Sequence, residues 1–327
     1  MARVAVLGAG AWGSAIAAVL ASRLEVALWA QNAAQAQALH ATRRNDRYLP
    51  GIELPKALNV TSDLARAVDG VRLVLVATPV AGLRDVLQRL DPSMPVIWLC
   101  KGFEEGTGLL PHQIAAETLG ENARCGALSG PSFAEEVARG LPCALTLASA
   151  TAGFAQESAA LLHGGRMRIY YSADVVGVEI GGAVKNVMAI AAGISDGLGL
   201  GYNARAALIT RGLAEIARLS AALGGQPETV MGLAGAGDLI LTATGDLSRN
   251  RRVGVELARG RSLQDILANL GHVAEGVRSA KEVSALARKK KVDMPVSDTV
   301  NAVLDGHLKP AQAVERLLAR DPKRESA

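Results

Sequence analysis

Aromatic side chains are scarce in this chain of 327 residues: three Trp, four Tyr and three Phe, 3% in all. Half of the sequence is hydrophobic, so its core must come from Ala, Val, Leu and Ile, with little stacking surface for bases. That argues against aromatic-platform nucleic-acid modules, and no nucleic-acid partner is expected. A dominant charge is also lacking. Lys and Arg number 35 against 31 Asp and Glu, and a formal net charge of +4 is small for this length. A small anionic ligand is compatible with it; a polyanion is not required. The three cysteines, Cys100, Cys125 and Cys143, form no C-x-x-C pair. That is the usage of a reduced, cytoplasmic protein. The five histidines show no H-x-x-x-H or related spacing, so no metal site is expected. Long apolar runs are missing as well: no stretch of 18 residues reads as a membrane span, and the short run before Gly8 is no signal core.

Glycine, in contrast, is abundant at 35 residues, which implies close backbone approaches at several places. The length predicts two domains at roughly 100–200 residues each. Short apolar runs at 3–7, 25–29, 73–77, 96–100, 125–128 and 143–147 alternate with Ala-rich helical stretches. This is the pattern of a doubly wound parallel sheet of the Rossmann type, assigned to residues 1–174. From 175 the alternation stops. Helical patterns at 175–194, 204–223, 251–258, 262–270, 279–290, 295–305 and 310–319 predict an all-α domain over 175–327, with a solvated, frayed tail at 321–327. Ligands of doubly wound sheets lie outside the carboxyl ends of the strands. Those ends carry Gly8, Gln31, Thr78-Pro79, Lys101-Gly102 and Ser129-Gly130-Pro131.

The sharpest local signal is Gly8-Ala9-Gly10-Ala11-Trp12-Gly13, between a strand and a helix. Dinucleotide binding needs a tight turn at Gly8, close approach of a pyrophosphate at Gly10, and close helix–strand packing at Gly13. An acid for the ribose 2′-hydroxyl should follow some 20 residues on. Here the segment reads Ala30-Gln31-Asn32. Either Gln31 or Asn32 takes the hydroxyl, or a 2′-phosphate is tolerated and pairs with Arg43 and Arg44. Lys185 interrupts an apolar helical run, and its helical neighbours Gly181, Gly182 and Ala189 form a face too small for ordinary core. The lysine either snorkels to the surface or is a desolvated proton donor, and a backbone or a ligand must approach the small face. Ser248-Arg249-Asn250-Arg251-Arg252 reads as an N-cap followed by clustered guanidinium groups, either a phosphate clamp or a solvated helix start. Gly235-Ala236-Gly237-Asp238-Leu239 puts an acid in a Gly-rich turn, where it is a site residue or a helix cap. Ser132 and Glu135 form an S-x-x-E capping box, or their turn offers N–H groups at the ligand edge.

These motifs, with Arg44-Asn45, Tyr48-Leu49-Pro50-Gly51, Ser132-Phe133-Ala134 and Gly181-Gly182-Ala183-Val184-Lys185-Asn186, occur in one order over residues 3 to 318. In this the sequence resembles the bacterial NAD(P)-dependent glycerol-3-phosphate dehydrogenases. The resemblance implies an oxidoreductase that interconverts sn-glycerol 3-phosphate and dihydroxyacetone phosphate with NAD(P)(H) and supplies glycerophospholipid biosynthesis. It implies Lys185 as proton donor and acceptor. Substrate contacts would fall to Lys101, Gly130, Ser132, Asp238, Ser248, Arg249 and Asn250. Coenzyme contacts would fall to Gly8, Gly10, Ala11, Trp12, Gly13, Gln31, Lys101, Ala134, Arg249, Val273 and Glu275. A homodimer stays open, as does the choice between NADH and NADPH. The rival readings are a dehydrogenase of the hydroxyacid or ketopantoate type, and a catalytically silent coenzyme sensor.

Overall fold

The structure is a computed structural model that describes residues 2–270 and 274–320; the expectation for the tail 321–327 falls outside it. Two compact units divide the chain, Met1–Glu179 and Ile180–Ala327.

In the first unit, apolar runs become strands because Val, Leu and Ile side chains can fill both faces of a covered sheet. Among the described residues these are β1 (Arg3–Leu7), β2 (Glu25–Trp29), β3 (Arg44–Asn45), β4 (Leu49–Glu53), β5 (Asn59–Thr61), β6 (Leu73–Val76), β7 (Val96–Trp98), β8 (Cys125–Ser129), β9 (Cys143–Ala148) and β10 (Met167–Ser172). Eight strands make one sheet in the order β10-β9-β8-β7-β6-β1-β2-β5, while β3 and β4 pair as a separate antiparallel hairpin. The helices between them are α1 (Ala11–Leu20), α2 (Ala33–Thr42), α3 (Leu64–Val68), α4 (Leu83–Leu87), α5 (Pro111–Leu119), α6 (Ala134–Ala138) and α7 (Phe154–Leu162). Val4, Val6, Ile16, Leu28, Leu75 and Ile97 are fully buried in one cluster. β1 pairs in parallel with β2 on one side and β6 on the other. Strand order therefore reverses at β1, and the crevice beyond the carboxyl ends of β1 and β6 is the ligand position of such sheets.

One edge corrects the all-parallel expectation. β8 and β9 run antiparallel, and β10 follows the direction of β9. The connection from β8 to β9 carries only the five-residue α6, and the chain turns back instead of crossing over the sheet. β10 escapes the apolar-run pattern because it buries only Met167 and Ile169, with exposed Arg168 between them and exposed Tyr170 and Tyr171 after them.

The second unit is built, among its described residues, from helices and turns. α8 (Val175–Gly197) begins in the first unit and continues into the second, followed by α9 (Gly201–Ala222), α10 (Pro227–Met231), α11 (Asp238–Thr244), α12 (Arg249–Ala258), α13 (Leu263–Leu270), α14 (Glu275–Lys290), α15 (Pro295–Leu304) and α16 (Pro310–Leu318). The expectation that no 18-residue stretch is apolar fails at α8, where such a window has mean hydropathy 1.5. That window is 94% buried within the protein, so α8 is a core helix.

Candidate active site

The glycine loop follows β1 directly. Gly8 has φ +120°, and a Cβ there would lie 2.9 Å from the carbonyl group of Ala77, at the end of the neighbouring β6. A Cβ on Gly13 would run into the Gly8 carbonyl oxygen, so α1 can start against the strand only without one. A Cβ on Gly10 would meet no atom within 4 Å, which leaves backbone open to a ligand there. Gly10 is the N-cap of α1 and has no capping side chain. The N–H groups of Ala11, Trp12 and Gly13 therefore lack helical partners, and the loop fits a coenzyme pyrophosphate. Trp12 is half-buried against Ala15 and Leu49.

At the end of β2, Gln31 is exposed, while the Asn32 side chain accepts from the Gln35 N–H and caps α2. Of the two amides, Gln31 is the one left for a ribose. The expected role of Arg43 and Arg44 is corrected. They follow α2 at its far end, about 15 Å from Asn32 for ten helical residues. Arg43 donates to the Leu58 carbonyl at 2.7 Å, and Arg44 pairs with Asp46. Neither is placed to meet a 2′-phosphate beside Gln31.

Further along the same sheet edge, Lys101 Nζ donates to the Gly130 carbonyl at 3.3 Å. Ser132 Oγ donates to the same oxygen at 2.9 Å, which corrects the capping box: α6 starts at Ala134 with Phe133 as N-cap, and Glu135 pairs with Arg139 instead. Lys101, Gly130 and Ser132 thus converge on one carbonyl, with Ala134 half-buried at the helix start. A group that the sequence reading missed lies nearby. The Glu179 carboxylate accepts from Trp98 Nε1 at 2.9 Å, from the His112 N–H at 2.9 Å and from His112 Nδ1. Burial pushes the Glu179 carboxyl above its ordinary range, against these donors. Burial pulls the His112 imidazole down, but the Glu179 hydrogen bond and charge outweigh it and raise the ring above its usual value. An acid inside the apolar run 175–194 was the available signal.

In the second unit, Lys185 is 7% exposed and pairs with Asp238, itself 1% exposed. It does not snorkel. Its Nζ also donates to Thr242 Oγ1 at 3.1 Å, and the Thr242 hydroxyl donates to the Asp238 carbonyl at 2.6 Å. Thr242 was not foreseen, although its place four residues after Asp238 puts both on one face of α11. The small face beside Lys185 meets a backbone: a Cβ on Gly181 would lie 2.7 Å from the Ala234 carbonyl oxygen. The Gly-rich segment is not a plain turn but a π-helical turn, Leu233–Gly237, which leads into α11 and so sets Asp238.

α12 opens as its sequence predicts, with Ser248 Oγ accepting from the Arg251 N–H. The N–H groups of Arg249 and Asn250 in its first turn have no helical partner. The guanidinium cluster is smaller than expected, because Arg251 is engaged by Asp196 and Asp246. Arg249 and Arg252 remain exposed. The Asn250 side chain is spent within the unit, donating to Asn186 Oδ1 at 2.9 Å and accepting from the Gly276 N–H at 3.0 Å. Asn186 in turn donates to Glu275 at 3.1 Å. What Asn250 offers a ligand is its backbone N–H. Val273 lies outside the described residues.

The comparisons agree with this chemistry. Models of the N-terminus and C-terminus of NAD-dependent glycerol-3-phosphate dehydrogenase match residues 3–155 and 174–315. The glycerol-3-phosphate dehydrogenase (NAD(P)+) of Aromatoleum aromaticum is 58% identical over 327 residues, 99% of this chain and 100% of that protein. The enzyme of the same name from Dechloromonas aromatica is 58% identical over 328 residues, with the same coverage. The solved structure of glycerol-3-phosphate dehydrogenase from Coxiella burnetii superposes with a TM-score of 0.92 at 42% identity, covering 98% of this chain and 99% of that one. With an open glycine loop in one unit and a buried, ion-paired lysine in the other, the chain belongs to the NAD-dependent glycerol-3-phosphate dehydrogenase family.

Proposed function

We propose that this chain interconverts dihydroxyacetone phosphate and sn-glycerol 3-phosphate, the backbone of glycerophospholipids, in the cytoplasm. The observation that carries the reading is the buried Lys185–Asp238–Thr242 cluster, tied through Asn186 and Asn250 to the open first turn of α12. Bound NAD(P)H supplies the hydride for the C2 carbonyl carbon. Reduction builds negative charge on the C2 oxygen, and Lys185 Nζ delivers a proton to it; in the reverse direction Lys185 takes that proton back. Asp238 and Thr242 fix Nζ so that little motion is needed when charge develops. The free N–H groups of Arg249 and Asn250, with the Arg249 guanidinium, take the substrate phosphate as a charge-assisted clamp. In the first unit the glycine loop and Gln31 hold the coenzyme, and Lys101, Gly130 and Ser132 line the same strand edge. The odd number of cysteines, with no C-x-x-C spacing, is the usage that supports the cytoplasmic location.

The experiment is kcat/KM for wild type and Arg249→Ala on dihydroxyacetone phosphate and on dihydroxyacetone. Losing a charge-assisted contact of ~1.5–3 kcal/mol should cost roughly 10–150-fold on the phosphorylated substrate. The unphosphorylated ketone should lose far less. Equal losses on both would remove Arg249 from the phosphate site. A wild type equally active on both ketones would favour a dehydrogenase of carboxylates or simple ketones over this reading.

A further inference from the structure

The Arg44-Asn45 and Tyr48-Leu49 motif has no part in the chemistry above. Asn45 ends β3 in the small hairpin, outside the main sheet, yet it is only 3% exposed. Leu49 of β4 buries against Ala15 of α1 and Val137 of α6, which seats the hairpin beside the glycine loop. From there Asn45 Nδ2 donates to the Ala9 carbonyl at 3.0 Å and to Ser14 Oγ at 2.7 Å. Gln35, in the first turn of α2, donates from Nε2 to the same Ala9 carbonyl at 2.8 Å. Two side chains from elements separate in sequence, β3 and α2, therefore converge on one oxygen in the middle of the glycine fingerprint.

We infer that Asn45 and Gln35 are positioning residues for the coenzyme pyrophosphate, acting through the Ala9–Gly10 peptide. The peptide unit is planar and trans, so the Gly10 N–H points opposite to the Ala9 C=O. Two amide donors hold that carbonyl against the body of the unit and turn the Gly10 N–H away from it. Gly10 is also the N-cap of α1, so fixing its peptide fixes the direction in which the unpartnered N–H groups of Ala11 and Trp12 leave the helix end. Glycines on both sides of Ala9 make this peptide easy to rotate in a bare chain. Without the two amides, the loop would spend part of its time with a carbonyl, not an N–H, facing the phosphate. The clamp pre-pays this ordering before the ligand arrives.

The inference rests on the coenzyme reading, and the test keeps the two apart. Calorimetric titrations of NADH and ADP, each of which carries a pyrophosphate, and ligand-observed NMR of adenosine, which carries none, are run on wild type, Asn45→Ala, Gln35→Ala and the double variant. Each single variant should weaken NADH and ADP roughly 3- to 10-fold, because one amide still holds the carbonyl. The double variant should lose more than the product of the two. Adenosine binding should hold steady, and KM for NADH should rise far more than kcat falls. Should Asn45→Ala fail to fold, Gln35→Ala carries the test, since Gln35 sits on a partly exposed helix face. Unchanged NADH affinity in Gln35→Ala, or equal losses for ADP and adenosine, would overturn the clamp. A wild type that binds neither NADH nor ADP would overturn the coenzyme reading itself.

Discussion

Gln31 stands at the end of β2 where a dinucleotide site often carries an acid, and it is exposed with no carboxylate in the Ala30-Gln31-Asn32 segment. Nothing there repels a 2′-phosphate. Gln31→Asp should therefore cut kcat/KM for NADPH at least about tenfold more than for NADH, since like charges are brought together only in the phosphorylated coenzyme. Equal losses would show that Gln31 does not face the ribose. Individual residues were legible in proportion to how local their signal was. The glycine fingerprint, the Ser248 cap and the small face beside Lys185 are written within a few positions of one another. The partners of Asp238 and Glu179 are not: Lys185 lies 53 residues from Asp238, and Trp98 lies 81 from Glu179. Arg251 was misassigned for the same reason, because Asp196, which engages it, is 55 residues upstream.

Helix contacts in the second unit turn on single atoms. Gly181 lets the π-helical turn rest against α8, and that turn delivers Asp238 to Lys185. Gly181→Ala puts a methyl group 2.7 Å from the Ala234 carbonyl. The turn must shift, at a cost of about 1–3 kcal/mol in stability. We expect kcat to fall at least tenfold with NADH affinity little changed; an unaltered kcat would separate the glycine from the site. Another buried acid, Glu215 of α9, accepts from the Val296 and Ser297 N–H groups at the start of α15 and from Ser297 Oγ. Burial pushes its carboxyl up to about 7 in spite of these donors. A raised carboxyl binds its proton more tightly in the folded than in the unfolded state. Its contribution to stability is thus full below the unfolded value, near pH 4, and is lost as pH climbs through about 7. Measured by urea midpoints, wild type should lose up to about 3 kcal/mol relative to Glu215→Gln between pH 4 and 8. A pH-independent difference would contradict this. No periodicity of the sequence marks Glu215, since an acid on an amphipathic helix reads as a solvated face unless its partner is known.

At the scale of the whole chain, the division into a sheet unit and a helical unit could be read from where the alternation of short apolar runs stops. The reversed edge of the sheet could not, because strand direction depends on how the β8–β9 connection turns and not on the composition of either strand. One unit carries an open glycine loop after β1, and the other a buried, ion-paired lysine and a helix start with unpartnered N–H groups. The central claim is that Lys185 serves as the acid of a ketone reduction, and the direct test follows nicotinamide absorbance with dihydroxyacetone phosphate for wild type and Lys185→Ala, with NADH and with NADPH. General acid catalysis is typically worth ~10²–10⁴-fold. The account expects turnover by wild type and a loss of that size in the variant, with coenzyme affinity nearly intact; a silent wild type, or a Lys185→Ala enzyme within about tenfold of it, would contradict the account.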